Sequence, residues 1–120
     1  MQQTIKTSSQ EPLTSTLLEE EPELFDLVAR FVEHLPKRLS DISDATTDQN
    51  WDALKQQLHA LKGVCINFGF PSISQLTQKI ENTLSHQLYE NITPLLEELN
   101  TLCQRINIGE NDQRTSIMNR

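Results

Sequence analysis

The sequence has little positive charge, few aromatic side chains and no long apolar run. Ten Lys and Arg stand against 17 Asp and Glu, for a formal net charge of −7. That balance excludes a surface built to neutralise nucleic-acid phosphates, and it is equally unsuited to anionic lipid. No apolar stretch approaches the ~20 residues of a membrane-spanning helix. The opening "MQQTIKTSSQEP" lacks the apolar core of a secretory signal, so a cytoplasmic location is expected. Cysteine is confined to Cys65 and Cys103, far apart and among apolar residues. Two are too few for a disulfide framework, and buried free thiols are the expected state.

The 120 residues are enough for one domain with its own core. Residues 1–12 and 107–120 are polar and aperiodic and read as flexible ends. Between them every periodic segment is helical, and none alternates as a strand does. "LTSTLLEEE" predicts a short helix with Leu13, Leu17 and Leu18 on one side. A second helix begins near Pro22, a favoured first-turn residue. It carries one apolar stripe through Leu24, Leu27, Val28, Phe31, Leu35, Leu39 and Ile42. Pro36 should bend it, because proline removes a backbone donor and crowds the preceding turn. The polar "SDATTDQN" ends that helix and offers Asp48 or Asn50 as the next cap. A third helix is expected from about Trp51 to Phe68, with Leu54, Leu58, Leu61, Cys65 and Phe68 buried. Gly69 and Pro71 then close one helix and open another. The fourth helix carries Ile73, Leu76, Ile80 and Leu84, and the fifth runs from Ile92 to Ile106. Short connections predict an all-α fold: an antiparallel up-and-down four-helix bundle over residues 13–106, with a short extra N-terminal helix across one end.

One stretch of the third helix, "HALKGVCINFG" (59–69), does not suit an ordinary helix. Gly63 should cost roughly 1 kcal/mol there relative to alanine. His59 lies one residue past the buried Leu58, roughly 100° round the cylinder, and should flank the core with its ring in water. Lys55, Lys62 and Gly63 are its neighbours one turn away. A surface histidine commonly has no role, a glycine can merely admit a neighbouring helix, and a nearby lysine is common. Their conjunction is what carries a chemistry. A neutral imidazole nitrogen is nucleophilic near neutral pH. If it takes a phosphoryl group, a cation one turn away stabilises the added charge. An empty position beside the ring lets a second protein bring its own phosphoryl group within the ~3–3.5 Å that in-line transfer requires.

These residues match the H-x-x-K-G-x-x-x-x-x-G signature, and the chain here resembles the histidine-containing phosphotransfer (HPt) domains of multistep phosphorelays. "EEEPELFDLVARFVEHLPKRL" is similar to the family's second helix, "NWDALKQQLHALKG" to its phosphoacceptor helix, and "LTQKIENTL" to the helix that follows. The resemblance implies a carrier that shuttles phosphate between receiver-domain aspartates in two-component signalling. It implies phosphorylation of His59 at Nε2, contact of Lys62 with the phosphoryl oxygens, clearance at Gly63 and a turn shaped by Gly69. Family members commonly have small residues after the first glycine, where Val64, Cys65 and Ile66 stand here. A further family position on the facing helix holds an amide or an acid near the phosphoacceptor. Glu81 falls there, and an acid does not help hold a phosphoryl group, so it receives no role.

A partner that covers His59 would meet Lys55, Gln56, Lys62, Gly63, Ile66 and Asn67. Leu13 and Leu17 either add apolar contact or simply seal the end of the bundle. From Trp51 to Lys79 the charges are Lys55, Lys62 and Lys79 against Asp52, a mildly positive face that suits an acidic receiver pocket. There is no phosphate-cradling glycine loop and no kinase catalytic set, so a non-enzymatic intermediate is expected. No cofactor is expected either, and magnesium would come with the receiver. A monomer is the expected state, either free-standing or as the terminal module of a hybrid kinase. The alternative is an unphosphorylated HPt-like adaptor that binds and blocks a receiver or kinase; retention of histidine, lysine and glycine together argues against it. A metal-dependent enzyme is disfavoured because His34, His59 and His86 lie on separate segments, none in a Glu-x-x-His or H-E-x-x-H pattern.

Overall fold

The computed structural model describes residues 11–109. Among the described residues five α-helices follow one another: α1 (Thr16–Glu20), α2 (Phe25–Thr47), α3 (Trp51–Asn67), α4 (Pro71–Ser85) and α5 (Ile92–Gln104). Single 3₁₀ turns at Pro22–Leu24 and Tyr89–Asn91 lead into α2 and α5. The only strand-like pairing among the described residues is one isolated bridge between Leu13 and Ile106. The fold is therefore all-α, as the periodicity predicts.

The apolar positions of the helices meet in one core. Val28, Phe31, Leu35 and Ile42 of α2 pack with Leu54, Leu58, Leu61 and Cys65 of α3, Ile73 and Ile80 of α4, and Ile92, Leu96 and Leu99 of α5. The tightest pairing joins α3 to α4, while α3 also packs on α2 and α4 on α5. Phe31 stacks on Phe68 at 5.2 Å between ring centroids and lies 6.0 Å from Phe70, filling the end of the core where α3 gives way to α4.

Helix α2 is continuous through Pro36 and ends at Thr47, inside the polar stretch expected to stop it, but two details differ from the sequence reading. Its start is delayed to Phe25, because residues 22–24 form the tighter turn. Leu27 is 47% exposed, for it sits at the margin of the stripe whose centre is Val28, Phe31, Leu35 and Ile42.

The turns after α2, α3 and α4 share one construction. In each, a residue with left-handed backbone follows the cap: Gln49 (φ 57°), Gly69 (φ 85°) and Gln87 (φ 59°). The next amide then reaches back five residues, from Asn50 to Ala45, Phe70 to Cys65 and Leu88 to Thr83. This is the Schellman closure, which satisfies carbonyls left open by the helix end. Helix α3 starts on a side-chain cap, with Asn50 Oδ1 accepting from the Ala53 amide at 3.2 Å.

The segment before α2 is tied across the ends of α3 and α5. The Thr16 amide donates to the Gly69 carbonyl at 2.9 Å, and Ser15 Oγ donates to the Phe68 carbonyl at 2.7 Å. The Leu13 amide donates to Arg105 O, the Asn107 amide to Leu13 O, and Arg105 Nε to Glu11 O. Glu11 and Asn107, assigned from sequence to the flexible ends, are thus hydrogen-bonded. The rest of those ends, residues 1–10 and 110–120, lies outside the described residues.

Candidate functional site: an exposed histidine on α3

Helix α3 buries Leu54, Leu58, Leu61 and Cys65 completely, and this fixes its rotation about its axis. His59, one step past Leu58, is turned to the surface, with a side chain 74% exposed. Lys55, Gln56, Ile66 and Asn67 are exposed as well. A β-carbon on Gly63 would meet nothing within 4 Å. The glycine therefore does not serve to admit a neighbouring helix within this chain; it leaves open space on the face that carries His59.

Helix α4 supplies the other half of the site. Its Ser74, Gln78 and Glu81, spaced four and three residues apart, share one face. Ser74 is buried, and its Oγ donates to the Lys62 carbonyl at 3.1 Å, fixing α4 against α3 at that level. One turn on, the Lys62 ammonium donates to Gln78 Oε1 at 2.8 Å. Another turn on, Glu81 Oε1 lies 2.8 Å from Lys62 Nζ, while its Oε2 lies 3.4 Å from His59 Nδ1. Moving from Ser74 to Glu81 along α4 thus moves back from Lys62 to His59 along α3. The Glu81 side chain is only 12% exposed. Its Oε1 accepts no well-aligned hydrogen bond, so its contact with Lys62 is chiefly charge attraction, and the directed bond from the ammonium is the one to Gln78.

A carboxylate beside Nδ1 favours the tautomer with the proton on that nitrogen and leaves Nε2 with its lone pair. One turn on from His59, a groove between α3 and α4 runs past Gly63, with Lys62, Ile66 and Asn67 on one wall and Ser74, Gln75 and Gln78 on the other. Sequence reasoning placed His59, Lys62 and Gly63 on this face but gave Glu81 no role. The structure makes Glu81 the residue that touches both His59 and Lys62. Gln78 was missed altogether; its position one turn before Glu81 on the same face of α4 is the signal that would have found it.

The remaining sequence candidates lie elsewhere. Gly69 sits at the end of α3 under the N-terminal segment, and Leu13 and Leu17 are partly buried against the core. The other two histidines face their own helices: His34 Nδ1 lies 2.9 Å from the Arg30 carbonyl and His86 Nδ1 2.8 Å from that of Asn82. Among the described residues no group of three or more His, Cys, Asp or Glu is placed to hold a metal ion, and no helix is long and apolar enough to cross a membrane.

The profile of the Hpt domain family matches residues 26–108, a span that takes in α2 through α5 and the whole site. The chain belongs to the Hpt domain family. Domains of this family carry phosphoryl groups on histidine in phosphorelay signalling and interact with receiver domains. No curated protein and no solved structure matches the chain significantly. The match begins at Asp26, so α1, whose Thr16 amide donates to the Gly69 carbonyl, lies outside the family span.

Proposed function

We propose that this chain is a phosphorelay carrier that accepts a phosphoryl group on His59 Nε2 from a receiver aspartate and passes it to another receiver. The observation that carries the reading is the exposed imidazole with Nδ1 facing Glu81 and open space at Gly63. The Nε2 lone pair attacks phosphorus, the aspartyl P–O bond breaks, and the aspartate leaves with the electron pair. The ring gains positive charge with its proton still on Nδ1, opposite Glu81. Transfer outward reverses each step. No general base is required, because no proton changes hands at the reacting nitrogen.

Lys62 supplies positive charge to the phosphoryl oxygens. Its ammonium has three donors, and the one directed at Gln78 leaves two for a phosphoryl group. Magnesium belongs to the acidic pocket of the receiver, and the chain works as a carrier without a nucleotide site or cofactor of its own. Helices α2 to α5 form the antiparallel up-and-down bundle that presents the face. The receiver covers Lys55, Gln56, Lys62, Gly63, Ile66 and Asn67, with Gly69 holding the turn beyond them. A cytoplasmic monomer fits this role, since receivers must reach the face from solution.

The test is phosphorylation of the purified chain by phosphoramidate or a phosphorylated receiver, followed by intact mass and ³¹P NMR, with His59→Gln as control. An acid-labile, alkali-stable adduct that vanishes in His59→Gln is the expected result. A folded chain that takes no phosphoryl group from any donor would overturn the reading.

A further inference from the structure

We propose that Glu81 is a discharge residue: it shortens the life of the phosphoryl group on His59 and biases the chain toward passing the group on rather than storing it. The proposal rests on His59 being the phosphoryl carrier. Two contacts support it, and both come from the same carboxylate.

The first is with Lys62. Glu81 Oε1 lies 2.8 Å from the ammonium, so that positive charge is already balanced before any phosphoryl group arrives. A phosphoryl dianion at Nε2 then gains less from Lys62 than it would from an unpaired ammonium, and it also stands near a carboxylate of its own sign. With a neutral amide at position 81 the lysine charge would serve the phosphoryl group alone.

The second contact is with His59. Breakdown of phosphohistidine, by water or by an acceptor carboxylate, breaks the Nε2–P bond and returns the electron pair to the ring. If Nδ1 carries a proton, the departing group is neutral imidazole; if it does not, the departing group is an imidazolate anion and leaves far less readily. Glu81 Oε2, 3.4 Å from Nδ1, holds the proton there by charge. The charged groups around the ring are Glu81 from α4 and, on its own helix, Lys55 one turn before and Lys62 one turn after. Of the three, only Glu81 carries a charge opposite to that of a positively charged ring.

Glu81 acts through His59 and Lys62 and is therefore a positioning residue. The test loads the wild-type chain, Glu81→Gln and Gln78→Glu with phosphoramidate, removes the donor, and follows the ³¹P signal of phosphohistidine with time. Glu81→Gln keeps the shape and the acceptor oxygen while removing the charge. Its phosphohistidine should last about fivefold longer, the scale of one unit charge at ~4 Å in a water-like medium. Gln78→Glu places a second carboxylate on the same ammonium and should shorten the life. A merely structural role for position 81 would move the melting temperature and leave the decay rate of folded chains unchanged. An unchanged or shorter life in Glu81→Gln overturns the proposal while leaving the carrier reading in place, and should that variant not fold, an unshortened life in Gln78→Glu overturns it. A wild-type chain that never loads overturns both.

Discussion

A β-carbon on Gly69 would come 2.3 Å from the backbone nitrogen of Leu17. Ser15 Oγ and the Thr16 nitrogen would lie nearly as close, at 2.7 and 2.8 Å. None of these is a flexible side-chain tip that can swing away, for Ser15 is itself bonded to the Phe68 carbonyl. Gly69→Ala must therefore both strain a left-handed backbone and push the N-terminal segment off the end of α3. The expected loss is roughly 2–4 kcal/mol, combining ~1–2 kcal/mol of backbone strain with broken contacts, read from urea denaturation. Phosphorylation of His59 by phosphoramidate should persist in the folded fraction, because the ring lies almost three turns away.

Gln49 and Gln87 hold the same backbone position in the other two turns, with φ of 57° and 59°. Both are exposed. Glycine adopts this conformation without the β-carbon penalty, so Gln49→Gly and Gln87→Gly should each stabilise the chain by about 0.5–1 kcal/mol. A lower urea midpoint in either variant would contradict this account of the turns.

The contrast among these three positions marks what the sequence disclosed and what it withheld. Helical periodicity located the core stripe of α3, and the exposure of His59 followed from one step of rotation past Leu58. A glycine before proline signalled the end of α3 at Gly69. Gln49 and Gln87 gave no such signal, because glutamine seldom marks a left-handed turn, although the polar stretch around Gln49 did mark the end of α2. Pro36 did not end α2, since its fixed φ is helical and the packing of Val28, Phe31, Leu35 and Ile42 along one stripe outweighs the missing donor. Glu81 was placed opposite the site by family resemblance alone. Its contacts depend on the register between α3 and α4, which Ser74 sets through the Lys62 carbonyl, and no periodicity within one helix reveals a register between two.

Both thiols lie in the core, where burial chiefly pushes them up to about 12 from an ordinary value of 9.0; for Cys65 the adjacent Cys103 adds to the effect and Arg38 opposes it. An unfolded chain ionises these thiols near pH 9 while the folded chain keeps them protonated. The stability they contribute is thus fully present below pH 9 and is lost as the pH rises from 9 toward 12. Urea midpoints measured between pH 7 and 10.5 should fall only in the upper part of that range, and the fall should shrink in a Cys65→Ala, Cys103→Ala chain. At pH 8 neither thiol should react with iodoacetamide until the chain unfolds.

Gly63 separates the demands of folding from those of transfer. With open space around its missing β-carbon, alanine there meets no obstacle and removes the entropic cost of glycine in a helix. Gly63→Ala should stabilise the chain by about 0.5–1 kcal/mol. A small donor such as phosphoramidate reaches Nε2 from solvent and should phosphorylate the variant at the wild-type rate. A receiver must bring a whole surface against the face of α3, and one methyl group beside His59 can displace the reacting atoms by a fraction of an ångström to an ångström. Misplacement on the order of 1 Å costs about 100-fold in rate, so exchange with a receiver should slow by about 10- to 100-fold. Larger side chains at this position should slow it further while still accepting phosphoryl from the small donor. A Gly63→Ala chain that is more stable and exchanges with receivers at the wild-type rate would show that the open space is not used for docking. A chain that is more stable yet slower only with receivers would identify the glycine as a helix defect kept for the partner.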